Sequence, residues 1–353
     1  MYQLLSLVIN IPFFCYALAH PNNVAWYGGP MHVECEHALN LFTGSGQYVK
    51  ENVIATKAVS FNDDVYVMTP RMKRGVLATV WLLVSGRQGP ALEPFPSLSA
   101  HAVADCGSIQ NAVDYHLDYI GNLWILDSGI IDTLEAPRCT CKPKVVVIST
   151  LLRTVTKLLD LTTAEPSSLL QNVAVDYGLG GKPFVYISDA ARGAILVRDA
   201  TSNTEWTVLF CAPSSGLQIT LGKRGPAHNV LMVVRAHQPG LIEIECAALR
   251  KRNSALPLRA FGENTRPVFL LGSDAHHIYL RHADGADVLS WDVRDGYNMS
   301  QLISIHSPGP RLVPTSVFAD PLKHSLLILD SNYGDVINSN SPAYQRISFI
   351  GQL

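Results

Sequence analysis

The feature that most restricts the fold of this chain is a short strand-like run that returns six times. It reads VYVMTP at Val65–Pro70, LWILDSG at Leu123–Gly129, VYISDA at Val185–Ala190, LMVVRA at Leu231–Ala236, IYLRHA at Ile278–Ala283 and LLILDS at Leu326–Ser331. Each run is β-branched, aromatic or otherwise apolar for a few residues and then turns small or polar, the pattern of a strand covered on both faces and released into a turn. Between their second residues (Tyr66, Trp124, Tyr186, Met232, Tyr279 and Leu327) the intervals are 58, 62, 46, 47 and 48 residues. A period of about 50 residues with several short strands per unit is the signature of propeller blades. Helical arrays fit poorly, because apolar residues do not recur at i, i+3 and i+4.

Within a unit, further strands follow with turn residues between them. After LWILDSG come Lys144–Thr150 and Thr154–Leu159; after VYISDA come Ala194–Arg198 and Thr204–Leu209. The expectation is an all-β chain, a six-bladed β-propeller of four-stranded antiparallel blades, filling residues 20–353 as one domain. The ending Asp127-Ser128-Gly129 then has a local cause. The acid can take nearby backbone N–H groups, and glycine supplies a turn conformation that a Cβ disfavours. Asp127, Asp189 and Asp330 are accordingly read as turn formers at blade rims, with a metal-binding ring as the sharper alternative.

At 48% hydrophobic and 16% charged residues the chain can bury a large core. Its first nineteen residues carry no Lys, Arg, Asp or Glu and end in Ala17-Leu18-Ala19, the small-x-small pattern of a signal peptide. Residues 1–19 are therefore read as a signal peptide cleaved before His20, and the mature chain as secreted, extracellular and free of the membrane. Net charge is −2 with scattered basic residues, which gives no nucleic-acid surface; Leu249–Asn253 reads as a solvated loop. Of seven cysteines, six follow the signal segment, an even number that favours disulfides in an oxidising compartment. Cys139-Thr140-Cys141 lacks zinc-site spacing, so no metal and no cofactor is assigned. Asn298-Met299-Ser300 is a glycan acceptor sequence. Nucleophile-elbow, HExxH and Walker patterns are absent. His276, His277, His282, His306 and His324 have the pKa of a general base, but no motif gives them a partner, and the catalytic residues are unknown.

Several ordered segments resemble the yellow / major royal jelly protein family of insects. TPRMKRGVLAT at Thr69–Thr79 resembles PRxxxGxPATL, LEPFP at Leu92–Pro96 resembles LxPYP, and DYIGNLWILDSG at Asp118–Gly129 resembles DxCGRLWVLDTG. CKPKVVVI at Cys141–Ile148 resembles CPPKLLVF. NVAVD at Asn172–Asp176 with FVYISD at Phe184–Asp189 resembles NIAVD and AYISD, and VPTSV at Val313–Val317 with LLILDSN at Leu326–Asn332 resembles PSDV and LWVLSN. The resemblance runs from about Asn52 to Ile350 and implies a secreted six-bladed propeller.

It also implies functional residues. Two family cysteines are lost, one at Ile120 and one near Gly181, which leaves Cys106 and Cys141 as the retained pair, with Cys211 and Cys246 as a second pair and Cys35 and Cys139 unassigned. The amine-binding hydroxyl and asparagine of salivary members match Thr315 and Asn332, while Gly334 stands where their aromatic would be, removing a cation–π contact. The function the resemblance implies is a non-catalytic extracellular role in pigmentation or cuticle, or the binding of a small aromatic amine or catechol-derived ligand through the central channel. A dopachrome isomerase of the melanin pathway is the alternative.

Overall fold

The computed structural model describes residues 23–33, 35–226, 228–252, 256–262, 265–338 and 341–351. The signal segment 1–19, its cleavage point before His20, and Asn253 of the basic run lie outside these residues.

Six four-stranded antiparallel sheets follow one another around a ring. Blade one is Lys57–Phe61, Asp64–Met68, Val80–Gly86 and Gly89–Pro94; blade two is Ala112–Leu117, Asn122–Asp127, Lys144–Ser149 and Thr154–Asp160. Blade three is Leu170–Tyr177, Pro183–Asp189, Ala194–Asp199 and Thr204–Leu209; blade four is Leu217–Gly225, His228–Arg235, Leu241–Glu245 and Leu258–Phe261. Blade five is Val268–Ser273, His277–His282, Val288–Asp292 and Ile303–His306. Blade six takes three strands from the end of the chain, Val313–Asp320, Ser325–Ser331 and Tyr344–Gly351, and its outer strand, Asn23–Tyr27, from the beginning. The ring is thus clasped by backbone pairing of Trp26 with Gln345 and its neighbours. A two-stranded hairpin, Ile130–Ile131 with Arg138–Cys139, is inserted between the second and third strands of blade two. Among the described residues no helix is long and apolar enough to cross a membrane.

All six repeat anchors, Tyr66, Trp124, Tyr186, Met232, Tyr279 and Leu327, fall in the second strand of a blade, and all are buried. Their runs are near-continuously apolar because a second strand has a blade packed on each side. The core is correspondingly divided into layers between blades: Tyr66 and Leu82 meet Tyr115 and Ile125 between blades one and two, and Trp124 and Val147 meet Val173 and Val185 between two and three. Burying side chains of this size stabilises by roughly 1.5–3 kcal/mol each.

The end of LWILDSG is explained by four contacts. Asp127 accepts backbone N–H groups from Asn111 at 2.8 Å and Gly129 at 3.0 Å on one oxygen, and from Gln110 at 2.8 Å on the other. That second oxygen also pairs with the buried Lys144 ammonium at 2.8 Å. Gly129 has φ +69°, and a Cβ there would sit 2.0 Å from the Cys141 carbonyl oxygen. Asp189 plays a related part, taking Ser168 Oγ at 2.6 Å and Leu169 N at 2.9 Å. Asp330 is held by His306 Nε2 at 2.9 Å and Arg346 at 2.7 Å. These carboxylates stitch strand ends together, each with protein donors of its own.

Cys106 and Cys141 are bridged across 35 residues, closing the loop that precedes blade two onto its third strand. The second expected pair is corrected: Cys211 and Cys246 are free thiols. Cys211 follows the outer strand of blade three and bonds Gly193 O, at the rim of Asp189, whereas Cys246 follows Glu245 at the opposite rim, opposite Val230 near the start of the second strand of blade four. Strands of this length rise about 15 Å or more between the rims, well beyond the ~7 Å that a bridge spans between Cα atoms. Burial raises both thiol pKa values, and Asp176 raises that of Cys246 further.

Candidate functional site

The innermost strands of all six blades line one central channel, a cavity of about 140 Å³. Side chains from one blade bond the inner strand of the next and fix the spacing. Thr79 Oγ1 accepts Ala112 N at 3.3 Å, Asp114 Oδ2 accepts Val173 N at 2.8 Å, and Gln171 Oε1 accepts Leu217 N at 2.7 Å. Gln218 Oε1 accepts Leu270 N at 2.9 Å, and Ser316 Oγ accepts Ala58 N at 3.1 Å. Between blades five and six the approach is closer: a Cβ on Gly272 would lie 1.9 Å from Val317 O, so only glycine fits.

Polar groups concentrate on the side of blades one to three. Lys57, on the first inner strand, forms an ion pair with Asp114 on the second. Asp114 is buried at a bulge and also accepts Asn172 Nδ2 at 2.9 Å and Tyr115 N at 2.8 Å, so its charge is held by donors from three blades. Two residues on, His116 lines the same channel. Burial pushes its pKa down to about 4 against the opposing pull of Asp118, Asp114 and Asp176, with Lys57 adding to the depression. Its imidazole is therefore neutral at pH 7. Phe318 supplies aromatic surface, and Thr220 and Ser273 pair at 2.7 Å across blades four and five. The channel thus offers a cation, a carboxylate, a neutral base and an aromatic ring.

Thr315 and Asn332 come to the same rim of blade six but not into this cavity. Thr315 occupies the bulge where pairing shifts between Pro314 and Ser316, and its hydroxyl donates to Leu329 O at 3.4 Å. The Asn332 amide is engaged on both sides: Oδ1 accepts Tyr344 N at 2.8 Å and Nδ2 donates to Pro342 O at 3.0 Å. Its carbonyl receives Asp335 N and Val336 N, starting the short helix Tyr333–Asn338 that also contains Gly334. Tyr333 packs with Ile54, Met72, Val336 and Ala343 at the rim, so it does not supply the missing aromatic.

The five histidines singled out from the sequence lie elsewhere. His277 Nδ1 is 3.2 Å from Asp274, His306 pairs with Asp330, and His324 is exposed on a turn with φ 49°. His276 begins the tight turn capped by Asp274, and burial lowers the pKa of His282. The channel histidine, His116, and its neighbours Lys57 and Asp114 were missed. The available signal was the DYH triplet at Asp114–His116 immediately before a repeat strand, where an inner strand must lie. Asn298 is exposed, and its Oδ1 accepts Ser300 N at 3.2 Å. Among the described residues no cluster of three or more candidate metal ligands occurs.

Comparisons with known proteins find similarity to one insect family in sequence and to other propellers in fold. The family model described as "Major royal jelly protein" matches residues 110–211, which cover most of blades two and three. Dopaminechrome tautomerase of Drosophila melanogaster is 28% identical over 174 residues, 46% of this chain and 37% of that protein. Protein yellow of Drosophila pseudoobscura pseudoobscura is 27% identical over 171 residues, 46% of this chain and 30% of that protein. The match spans about a third of the length of these curated relatives. A solved luciferin-regenerating enzyme shares the fold, with a TM-score of 0.50 at 9% identity over 87% of this chain and 95% of that one. On these grounds the chain is similar to the yellow / major royal jelly protein family across blades two and three.

Proposed function

We propose that this protein belongs to that pigmentation-related family, acts outside the cell and holds a small catechol-derived or aromatic-amine ring in its central channel without transforming it. The carrying observation is the channel itself: about 140 Å³, close to the roughly 150 Å³ cavity known to take up one benzene ring. Phe318 suits the ring face, and Lys57, partly exposed to the channel, suits ring oxygens. Extracellular placement is supported by the family's secreted insect members and by the Cys106–Cys141 bridge. Glycosylation at Asn298 accords with that placement, the side chain being exposed.

Calorimetry with dopamine, serotonin and octopamine tests the reading. Heat of binding is expected for at least one, with Lys57→Ala or Phe318→Ala weakening it by about tenfold or more, ~1.4 kcal/mol. No heat with any of the three would remove the proposal, and loss of binding on Asn332→Ala alone would move the site to the rim.

A dopachrome isomerase is the second reading, favoured by the neutral His116 imidazole in the channel, which falls within the matched residues 110–211, and by similarity to a dopaminechrome tautomerase. In this reading His116 takes the acidic ring proton as general base. Decay of dopachrome absorbance that saturates with substrate and is abolished by His116→Ala would establish it; decay equal to that with heat-treated protein would exclude it.

A further inference from the structure

Three cysteines lie on or against one short segment of the propeller rim, outside the channel. Cys106 and Cys141 are bridged, and Cys139 is an exposed free thiol two residues before Cys141. The Cys139 Sγ lies 3.6 Å from the carbonyl oxygen of Cys141, and the Cys106 Sγ lies 3.8 Å from that of Thr140. Free thiol and bridge therefore rest on consecutive carbonyls of a single segment. That segment is short, tied by Thr140 Oγ1 to Gly129 O at 2.9 Å and by Arg138 to Asp132 at 2.8 Å. Its hairpin has two residues per strand, and at its end Gly129 O receives both Thr140 N at 2.8 Å and Cys141 N at 3.3 Å, the two-against-one pairing of a bulge. A thiolate kept beside a disulfide attacks it at a far higher effective concentration than one in solution.

We propose that Cys139, Cys106 and Cys141 form a thiol–disulfide exchange site. The Cys139 thiolate attacks Cys106 Sγ; the Cys106–Cys139 bond forms as the Cys106–Cys141 bond breaks, and Cys141 leaves as the thiolate. Cys139 gives its proton to solvent and Cys141 takes one from solvent, so the exchange needs neither oxidant nor reductant and one free thiol remains throughout. The thiol moves from an exposed position to a buried one. The hairpin that must shift carries Ile131, Asp132 and Arg138, one wall of a groove of about 670 Å³ whose other side includes Phe42, Leu98 and Val103. This is within the size range of ligand pockets, and the bridge in force sets the position of that wall.

The test is disulfide mapping of the full chain. Wild type, Cys139→Ser and Cys141→Ser are equilibrated in a glutathione redox buffer at about pH 8, where thiols ionise appreciably, then quenched in acid, blocked with N-ethylmaleimide and mapped by mass spectrometry. Wild type is expected to contain both bridges, with Cys141 labelled at least about tenfold above its level in Cys139→Ser, because only exchange frees it there. Cys141→Ser is expected to form Cys106–Cys139. Wild type in which Cys139, of these three cysteines, is the one labelled, with Cys141 no higher than in Cys139→Ser, overturns the proposal, as does a cooperatively melting Cys141→Ser chain that keeps Cys106 and Cys139 both free. The wild-type measurement stands even if Cys141→Ser does not fold.

Discussion

Replacing Asp127 with alanine is expected to destabilise the propeller far more than the same change at Asp189, although both residues end the same repeated run. The third strand decides the difference. Asp127 faces Lys144 across the sheet and Asp189 faces Ala194. In blade two the carboxylate and the ammonium are both almost wholly buried, with 0% and 3% side-chain exposure. Removing the acid strands a buried cation, which costs about 3–5 kcal/mol, and also orphans the N–H groups of Gln110, Asn111 and Gly129. At Asp189 the loss is one hydroxyl and one backbone donor, worth about 1–3 kcal/mol when left unsatisfied. Urea unfolding followed by tryptophan fluorescence should place Asp127→Ala below Asp189→Ala by about 2 kcal/mol, with the m-value unchanged. Asp127→Ala combined with Lys144→Met should recover part of the loss, because the stranded charge is gone. Equal costs for the two aspartates, or a double variant whose loss is the sum of its singles, would refute the argument that the opposing cation sets the scale.

Gly129→Ala should lose more than about 2 kcal/mol, since the positive φ and the approach of Cys141 O act together; a melt within about 1 °C of wild type would contradict this. Trp26→Ala should cost about 3–5 kcal/mol, because the indole on the clasping strand is buried in a layer with Ala58 and Leu327; proteolysis that opens at the first and last strands would report it. Acid should weaken the fold through His101, whose pKa burial lowers from 6.5 to about 4. The unfolded chain binds the extra proton, so this contribution is whole above pH 6.5 and is lost as pH falls toward 4, by up to about 3 kcal/mol. His101→Gln, with no proton to gain, should show a shallower decline of denaturation midpoint over that window, and identical slopes would exclude the assignment.

How much of this was legible in the sequence follows from which interactions are local. The six second strands could be counted because burial on both faces forces an apolar run wherever such a strand occurs, and Asp127-Ser128-Gly129 announced its own turn. The inner strands were harder to see. Asp114, His116 and Lys57 look like ordinary strand polars until blades one, two and three are brought around an axis, and their pairing joins residues far apart in the chain. Thr315 and Asn332 were read from a resemblance, and the backbone then showed the Asn332 amide committed to Tyr344 and Pro342.

Cysteine pairing divides in the same way. An even count after the expected signal segment argued for bridges, but which sulfurs meet depends on the rim each strand end reaches, and Cys211 and Cys246 reach different ones. The clasp by Asn23–Tyr27 could not be read from a repeat that begins at Val65, because an edge strand is defined by its partner rather than its composition. By itself the sequence determined the number of blades and the turns that end their central strands, since covering by neighbours and local hydrogen bonding write themselves into consecutive residues. Only the tertiary structure decided how the ring closes, which cysteines join and what lines the channel, because those depend on distances between residues that the chain order keeps apart.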